Sequence, residues 1–169
     1  MTPRVVLIGP PGAGKTSIGR ALAKSLEVDF ADTDTLIEDD QSKSVSQIFV
    51  DEGEAHFRKA EERICLEALK NVSGVLSLGG GAVLTPGVAE ALRKAETKVI
   101  FLDVSLAVAA PRIGFNRDRP LLLSNPRQKW QSLMDARRPV YESLATMKIE
   151  VEDRSVNEIV SDILSKVGI

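Results

Sequence analysis

Gly9-Pro10-Pro11-Gly12-Ala13-Gly14-Lys15-Thr16 is the stretch from which the fold of this chain can be read. It fits G-x-x-x-x-G-K-[ST], follows the apolar run Val5-Val6-Leu7-Ile8 and opens a helical pattern that runs on to Leu26. Strand, glycine-rich loop and helix thus stand in the order of a phosphate-binding loop. Its glycines let successive backbone N–H groups turn inward as an anion nest, and the helix behind it adds the partial positive charge of its N-terminus. The expected ligand is the polyphosphate of a nucleotide, held by Gly12, Ala13, Gly14, Lys15, Thr16 and Ser17. Lys15 would reach the β- and γ-phosphates, and Thr16 would offer its hydroxyl to Mg²⁺.

Outward from the loop, short runs rich in Val, Ile and Leu predict strands over Arg4–Gly9, Val28–Asp32, Gly74–Leu78, Lys98–Asp103 and Thr146–Glu152. Helical patterns fall between them, over Lys15–Leu26, Thr35–Asp40, Val45–Asp51, Glu54–Asn71, Pro86–Ala95, Ser105–Ile113, Pro126–Leu144 and Val156–Val167. Continuously apolar strands alternating with helices predict an α/β fold, a parallel sheet covered on both faces. Ligands of such sheets bind at the C-terminal ends of the strands, so the strand before the phosphate loop should be central.

The chain has 169 residues, 43% of them hydrophobic and 27% charged, with a net charge of −2. That length suits one domain with a core of its own, and the balance excludes a disordered chain. The slight acidity and an aromatic content of 4% argue against nucleic acid as a partner. No apolar stretch reaches membrane-spanning length, and no signal segment is expected ahead of the first strand. One cysteine, Cys65, on an apolar helix face, fits a buried thiol in a reducing cytoplasm.

Other candidate groups lie where the predicted sheet would deliver them. Asp32-Thr33-Asp34 closes the second strand. Either carboxylate alone could be a helix cap. As a pair beside a phosphate loop they suggest a site in which Asp32 serves the metal, through water, and Asp34 faces an acceptor hydroxyl. Arg58 and Glu61 stand three apart on a helix, a spacing that by itself reads as a solvated ion pair. His56, the single histidine, reads as an exposed or capping residue. Leu78-Gly79-Gly80-Gly81-Ala82 follows the third strand, and three glycines in a row suggest close backbone approach to a ligand. The arginine-rich segment from Gly114 to Leu121 lies where a lid would close over reactants. Pro139 should kink its helix, where Arg137 and Arg138 taken singly read as surface charges and Trp130, Leu133, Met134 and Tyr141 as packing residues.

In combination these motifs resemble the shikimate kinases over essentially the whole chain. The resemblance rests on the phosphate loop, Asp32-Thr33-Asp34, Gly53-Glu54-x-x-Phe57-Arg58-x-x-Glu61, Leu78-Gly79-Gly80-Gly81-Ala82, Arg119-Pro120-Leu121 and Arg137-x-Pro139-x-Tyr141. It implies a three-layer α/β/α fold like that of nucleoside monophosphate kinases, with a five-stranded parallel sheet in the order 2-3-1-4-5 and a mobile lid. Residues 1–169 would form one kinase domain, with a substrate-binding region near 33–61 and the lid near 112–125. The implied reaction transfers the γ-phosphate of ATP, with Mg²⁺, to the 3-hydroxyl of shikimate in aromatic amino acid biosynthesis. The implied partner is that small molecule alone, and the implied state a cytoplasmic monomer.

Residue by residue, the resemblance assigns Asp34 to the shikimate hydroxyls and possible deprotonation of the attacking oxygen. Arg58 and Arg137 would grip the substrate carboxylate, Gly80 and Gly81 would present backbone N–H groups, and Phe49 and Phe57 would pack beside its ring. Arg119 would join Lys15 as a catalytic cation at the ATP phosphates, while Arg112 and Arg154 would flank adenine. Val156 stands where many relatives carry a proline, and Arg117 is an additional arginine in the lid without an assigned role. Two other readings share the loop: a gluconate- or nucleotide-kinase-like enzyme, and an ATP-binding switch or module without kinase turnover.

Overall fold

The structure is a computed structural model that describes residues 2–113 and 125–168. Five strands, β1 (Val5–Ile8), β2 (Phe30–Asp32), β3 (Val75–Ser77), β4 (Lys98–Asp103) and β5 (Met147–Glu150), pair in parallel in the order β2-β3-β1-β4-β5. The expected order and parallel sense are both observed. β1 is buried along its whole length, which is why its four residues carry no polar alternation.

The register decides where the site forms. Asp32 pairs with Ser77, and Ser77 with Leu7, so β2, β3 and β1 end side by side. The phosphate loop, the Asp32-Thr33-Asp34 segment and the triple-glycine loop therefore leave the sheet at one edge, as the Cα pairing of a parallel sheet requires.

Seven helices complete the described chain: α1 (Lys15–Leu26), α2 (Thr33–Gln41), α3 (Val45–Asn71), α4 (Pro86–Lys94), α5 (Leu106–Ile113), α6 (Pro126–Leu144) and α7 (Val156–Val167). The two helices expected on either side of Gly53 join into α3, interrupted only at Gly53, whose φ of 85° and ψ of 170° are not helical. α2 begins two residues earlier than expected because the Asp32 carboxylate caps it, accepting from the Asp34 N–H at 2.9 Å. α6 continues through Pro139, and a short 3₁₀ turn at Ala82–Leu84, not foreseen in the sequence, follows the glycine loop. The opening of α7 is a capping box formed by Ser155 and Glu158.

Two hydrophobic cores result. The larger fills the space around the sheet, with Leu7, Leu22, Leu76, Phe101, Trp130 and Tyr141 among its buried members. The smaller gathers Ile37, Val45, Ile48, Phe57 and Ile64 between α2 and α3. Cys65 is fully buried in the larger core, and that burial pushes its thiol pKa up, as expected of a structural cysteine.

Candidate active site

The phosphate loop supplies one wall. Gly12 and Gly14 adopt φ of 85° and 88°, conformations that a residue with a β-carbon resists. Lys15 folds back over the loop, its Nζ donating to the carbonyls of Gly9 at 2.8 Å and Pro10 at 3.1 Å. Arg112, from the end of α5, donates to the carbonyls of Gly12 at 3.3 Å and Ala13 at 3.4 Å. On the other side, the Trp130 indole donates to the Pro11 carbonyl at 2.9 Å. A cavity of about 410 Å³ opens here, lined by Gly12, Gly14, Lys15, Thr16, Ser17, Asp32, Asp34, Gly79, Gly80, Arg112 and Val156 among others.

The Thr16 hydroxyl donates to Asp32 Oδ2 at 2.9 Å while Oδ1 of the same carboxylate caps α2. One carboxylate thus caps α2 and reaches the first turn of α1. A hydroxyl and a carboxylate side by side at the cavity wall suit Mg²⁺, which takes few protein oxygens and fills its remaining positions with phosphate and water. Among the described residues no cluster of three or more acidic, His or Cys side chains offers a richer metal site.

The triple glycine forms the opposite wall, and its composition has a steric cause. A β-carbon on Gly79 would lie 2.7 Å from Asp34 Oδ1, one on Gly80 3.2 Å from Arg137 Nη1, and one on Gly81 2.6 Å from Arg58 Nη1. The charged side chains of α2, α3 and α6 thus close directly onto glycine backbone. Arg58 donates to Glu61 Oε1 at 2.7 Å, and Glu61 is only 1% exposed. The pair is therefore not the solvated one its spacing suggests. Burial raises the Glu61 pKa against the opposing pull of Arg58.

Arg137 is 4% exposed, and its Nε is buried without a hydrogen-bond partner among the described residues. The reading of Arg137 as a surface charge is thus corrected: it sits on the face of α6 that also buries Trp130, Met134 and Tyr141. Arg138, one residue on, turns outward and forms a two-pronged pair with Asp103 at 2.9 Å and 2.9 Å. The Tyr141 hydroxyl donates to the Gly80 carbonyl at 2.6 Å, and burial raises its pKa to about 12.

The remaining candidates are placed as follows. Phe57 is buried against Phe49, ring centroids 4.8 Å apart, and the Arg58 guanidinium lies over its ring. Arg154 is engaged by Asp162 at 2.8 Å and the Glu150 carbonyl at 2.9 Å, and it is not among the residues that line the cavity. His56 bridges Gln41 and Glu52 at the surface. Arg117, Arg119 and most of the expected lid lie outside the described residues. Sequence reasoning missed the ties made by Thr33, Trp130 and Tyr141. The signal available was the polar tip that buried Trp and Tyr must satisfy.

A phosphate loop after the central strand of a 2-3-1-4-5 parallel sheet, facing a cavity lined by Asp32, Asp34 and Arg112, defines a P-loop kinase of the nucleoside-monophosphate-kinase type. A family model described as shikimate kinase matches residues 11–168. A shikimate kinase of Rhodococcus jostii is 43% identical over 169 residues, covering 99% of each chain. One of Thermobifida fusca is 47% identical over 156 residues, covering 92% of this chain and 90% of its own. Among solved structures, a shikimate kinase from Acinetobacter baumannii in complex with shikimate superposes with a TM-score of 0.93 at 33% identity, over 99% of this chain and 93% of that one. The chain belongs to the shikimate kinase family, and it is an ATP-dependent kinase, a transferase.

Proposed function

We propose that this chain transfers the γ-phosphoryl group of ATP to the 3-hydroxyl of shikimate, in the pathway to chorismate and the aromatic amino acids, and that the residues described above divide the work. Gly12, Ala13, Gly14, Lys15, Thr16 and Ser17 cradle the phosphates, and Arg112 and Val156, which line the cavity, flank the adenine, with Arg154 at its margin, held by Asp162. Thr16 and Asp32 would hold Mg²⁺, whose chemistry there is to offset charge on the phosphates. Lys15 and Arg119 stabilise the charge that develops on the transferring group. Asp34 accepts hydrogen bonds from the acceptor hydroxyls, the attacking one included. Arg58 and Arg137 clamp the acceptor carboxylate, with the backbone N–H groups of Gly80 and Gly81 beside it.

One observation carries the acceptor assignment. A buried guanidinium whose Nε has no hydrogen-bond partner among the described residues, with a second arginine resting like it on glycine backbone that leaves no room for a β-carbon, fits a planar anion of carboxylate size. It counts against the gluconate- and nucleotide-kinase readings. Arg58→Ala and Arg137→Ala are each expected to lower kcat/KM for shikimate by roughly 10²-fold or more while circular dichroism stays native, the scale lost when a buried charged contact is truncated. Near-normal kcat/KM in both would sink the clamp. Lys15→Met should abolish turnover. A coupled ADP-release assay with shikimate, gluconate and nucleoside monophosphates tests the substrate itself; release without any acceptor would favour a switch.

The same reading takes the chain as one kinase domain, acting in the cytoplasm as a monomer. No helix among the described residues is long and apolar enough to cross a membrane. Light scattering on the purified chain should return the mass of a single 18.3 kDa copy; a dimer mass would overturn it.

A further inference from the structure

We propose that Thr33 is a positioning residue for the acceptor half of the site, its hydroxyl holding the Gly79-Gly80-Gly81 loop in register with Asp34. The inference rests on the acceptor reading above. The glycine loop is anchored at three backbone points. The Leu78 N–H donates to the Leu7 carbonyl of β1 at 3.1 Å, the Gly79 N–H to Thr33 Oγ1 at 2.9 Å, and the Gly80 carbonyl accepts from Tyr141 at 2.6 Å. The first ties the loop to the sheet and the third ties it to α6. Thr33 alone of the three belongs to the segment that carries Asp34.

Thr33 is 0% exposed and Gly79 is buried, so neither group can turn to water if the other is lost. A buried N–H left unpaired is costly, and the loop relieves that cost by moving. Movement is consequential here because loop and side chains are in contact: a β-carbon would fit at none of the three glycines without displacing Asp34, Arg137 or Arg58. The donor half has a tie of its own that does not run through Thr33, the Thr16 hydroxyl donating to the Asp32 carboxylate at 2.9 Å.

The experiment compares Thr33→Val, Thr33→Ala and Thr33→Ser with the parent chain in steady-state kinetics, varying shikimate and ATP separately. ADP affinity is read from the fluorescence of Trp130, the one tryptophan, which sits on the phosphate loop. Val and Ala are expected to raise KM for shikimate about tenfold while KM for ATP and ADP affinity change less than about twofold, and Ser to restore parent values, as loss and return of one buried hydrogen bond require. An unchanged KM for shikimate in the Val and Ala variants would overturn the proposal. So would equal rises in both KM values, or loss of ADP binding in both variants while Ser retains it, because the hydroxyl would then serve the fold as a whole. Arg58→Ala run alongside separates the two levels: if it leaves KM for shikimate untouched, the acceptor reading itself fails, whatever Thr33 does.

Discussion

Glu61 shares its pocket with two guanidinium groups, yet its carboxyl sits above the usual glutamate value of 4.5 because burial outweighs the attraction of Arg58. The folded state therefore holds the proton more tightly than the unfolded state. The resulting contribution to stability is complete below pH 4.5 and is lost as pH rises through the higher folded value. Glutamine at this position never ionises, so the melting temperature of Glu61→Gln minus that of the parent should increase from pH 4 to pH 7. A difference that is flat or falling over that range would contradict the assigned direction. Spacing in the sequence identified Arg58 and Glu61 as a pair but could not report their burial, which is set by α2, the glycine loop and α6 closing from distant parts of the chain. The burial of Arg137, which the resemblance had named, was hidden for the same reason: helical periodicity shows which residues share a face, and only packing shows which face is inside.

α6 gathers the two halves of the site on one rigid element. From a single buried face it sends Trp130 to the Pro11 carbonyl, Arg137 to the acceptor pocket and Tyr141 to the Gly80 carbonyl. Each hydrogen bond should have its own kinetic signature. Trp130→Phe is expected to raise KM for ATP more than KM for shikimate, and Tyr141→Phe to do the reverse, each losing about 1–3 kcal/mol of stability for the carbonyl left unpaired. Matching KM profiles in the two variants would mean that the helix acts on the site only as a whole. The boundaries of α6 were legible in Pro126 at its first turn and in its apolar spacing. Its run through Pro139 was legible as well, since the expected helix spans Pro126–Leu144 as observed, with the proline on the exposed side. At α2 the cap and the metal reading of Asp32 looked like rivals in the sequence, and the geometry leaves room for both: one carboxylate oxygen caps the helix while the other accepts from Thr16.

The molecule as a whole places β1 at the centre of the sheet, with β3 and β4 on either side. Leu7 is fully buried there, so Leu7→Ala should cost about 3 kcal/mol in urea unfolding, with the spread of a large-to-small core change. The KM values of the folded fraction should stay near parent; a shift in them would show that the strand transmits strain to the site. The alternation of apolar runs and helices was enough to read a parallel α/β fold, and the ordering of strands came from motif resemblance, since apolar strands carry no address that says which neighbour they join. The two cores have a further consequence, one of descent rather than mechanism. The donor loop stands on the larger core, whereas the Phe57 contact and the helices that bear Asp34 and Arg58 stand on the small cluster of Ile37, Val45, Ile48, Phe57 and Ile64. Mutations that refashion the Asp34 and Arg58 side of the acceptor pocket can therefore accumulate in one cluster while the sheet and its nucleotide loop are left intact, a division of labour that lets one scaffold diversify its substrates without relearning how to fold.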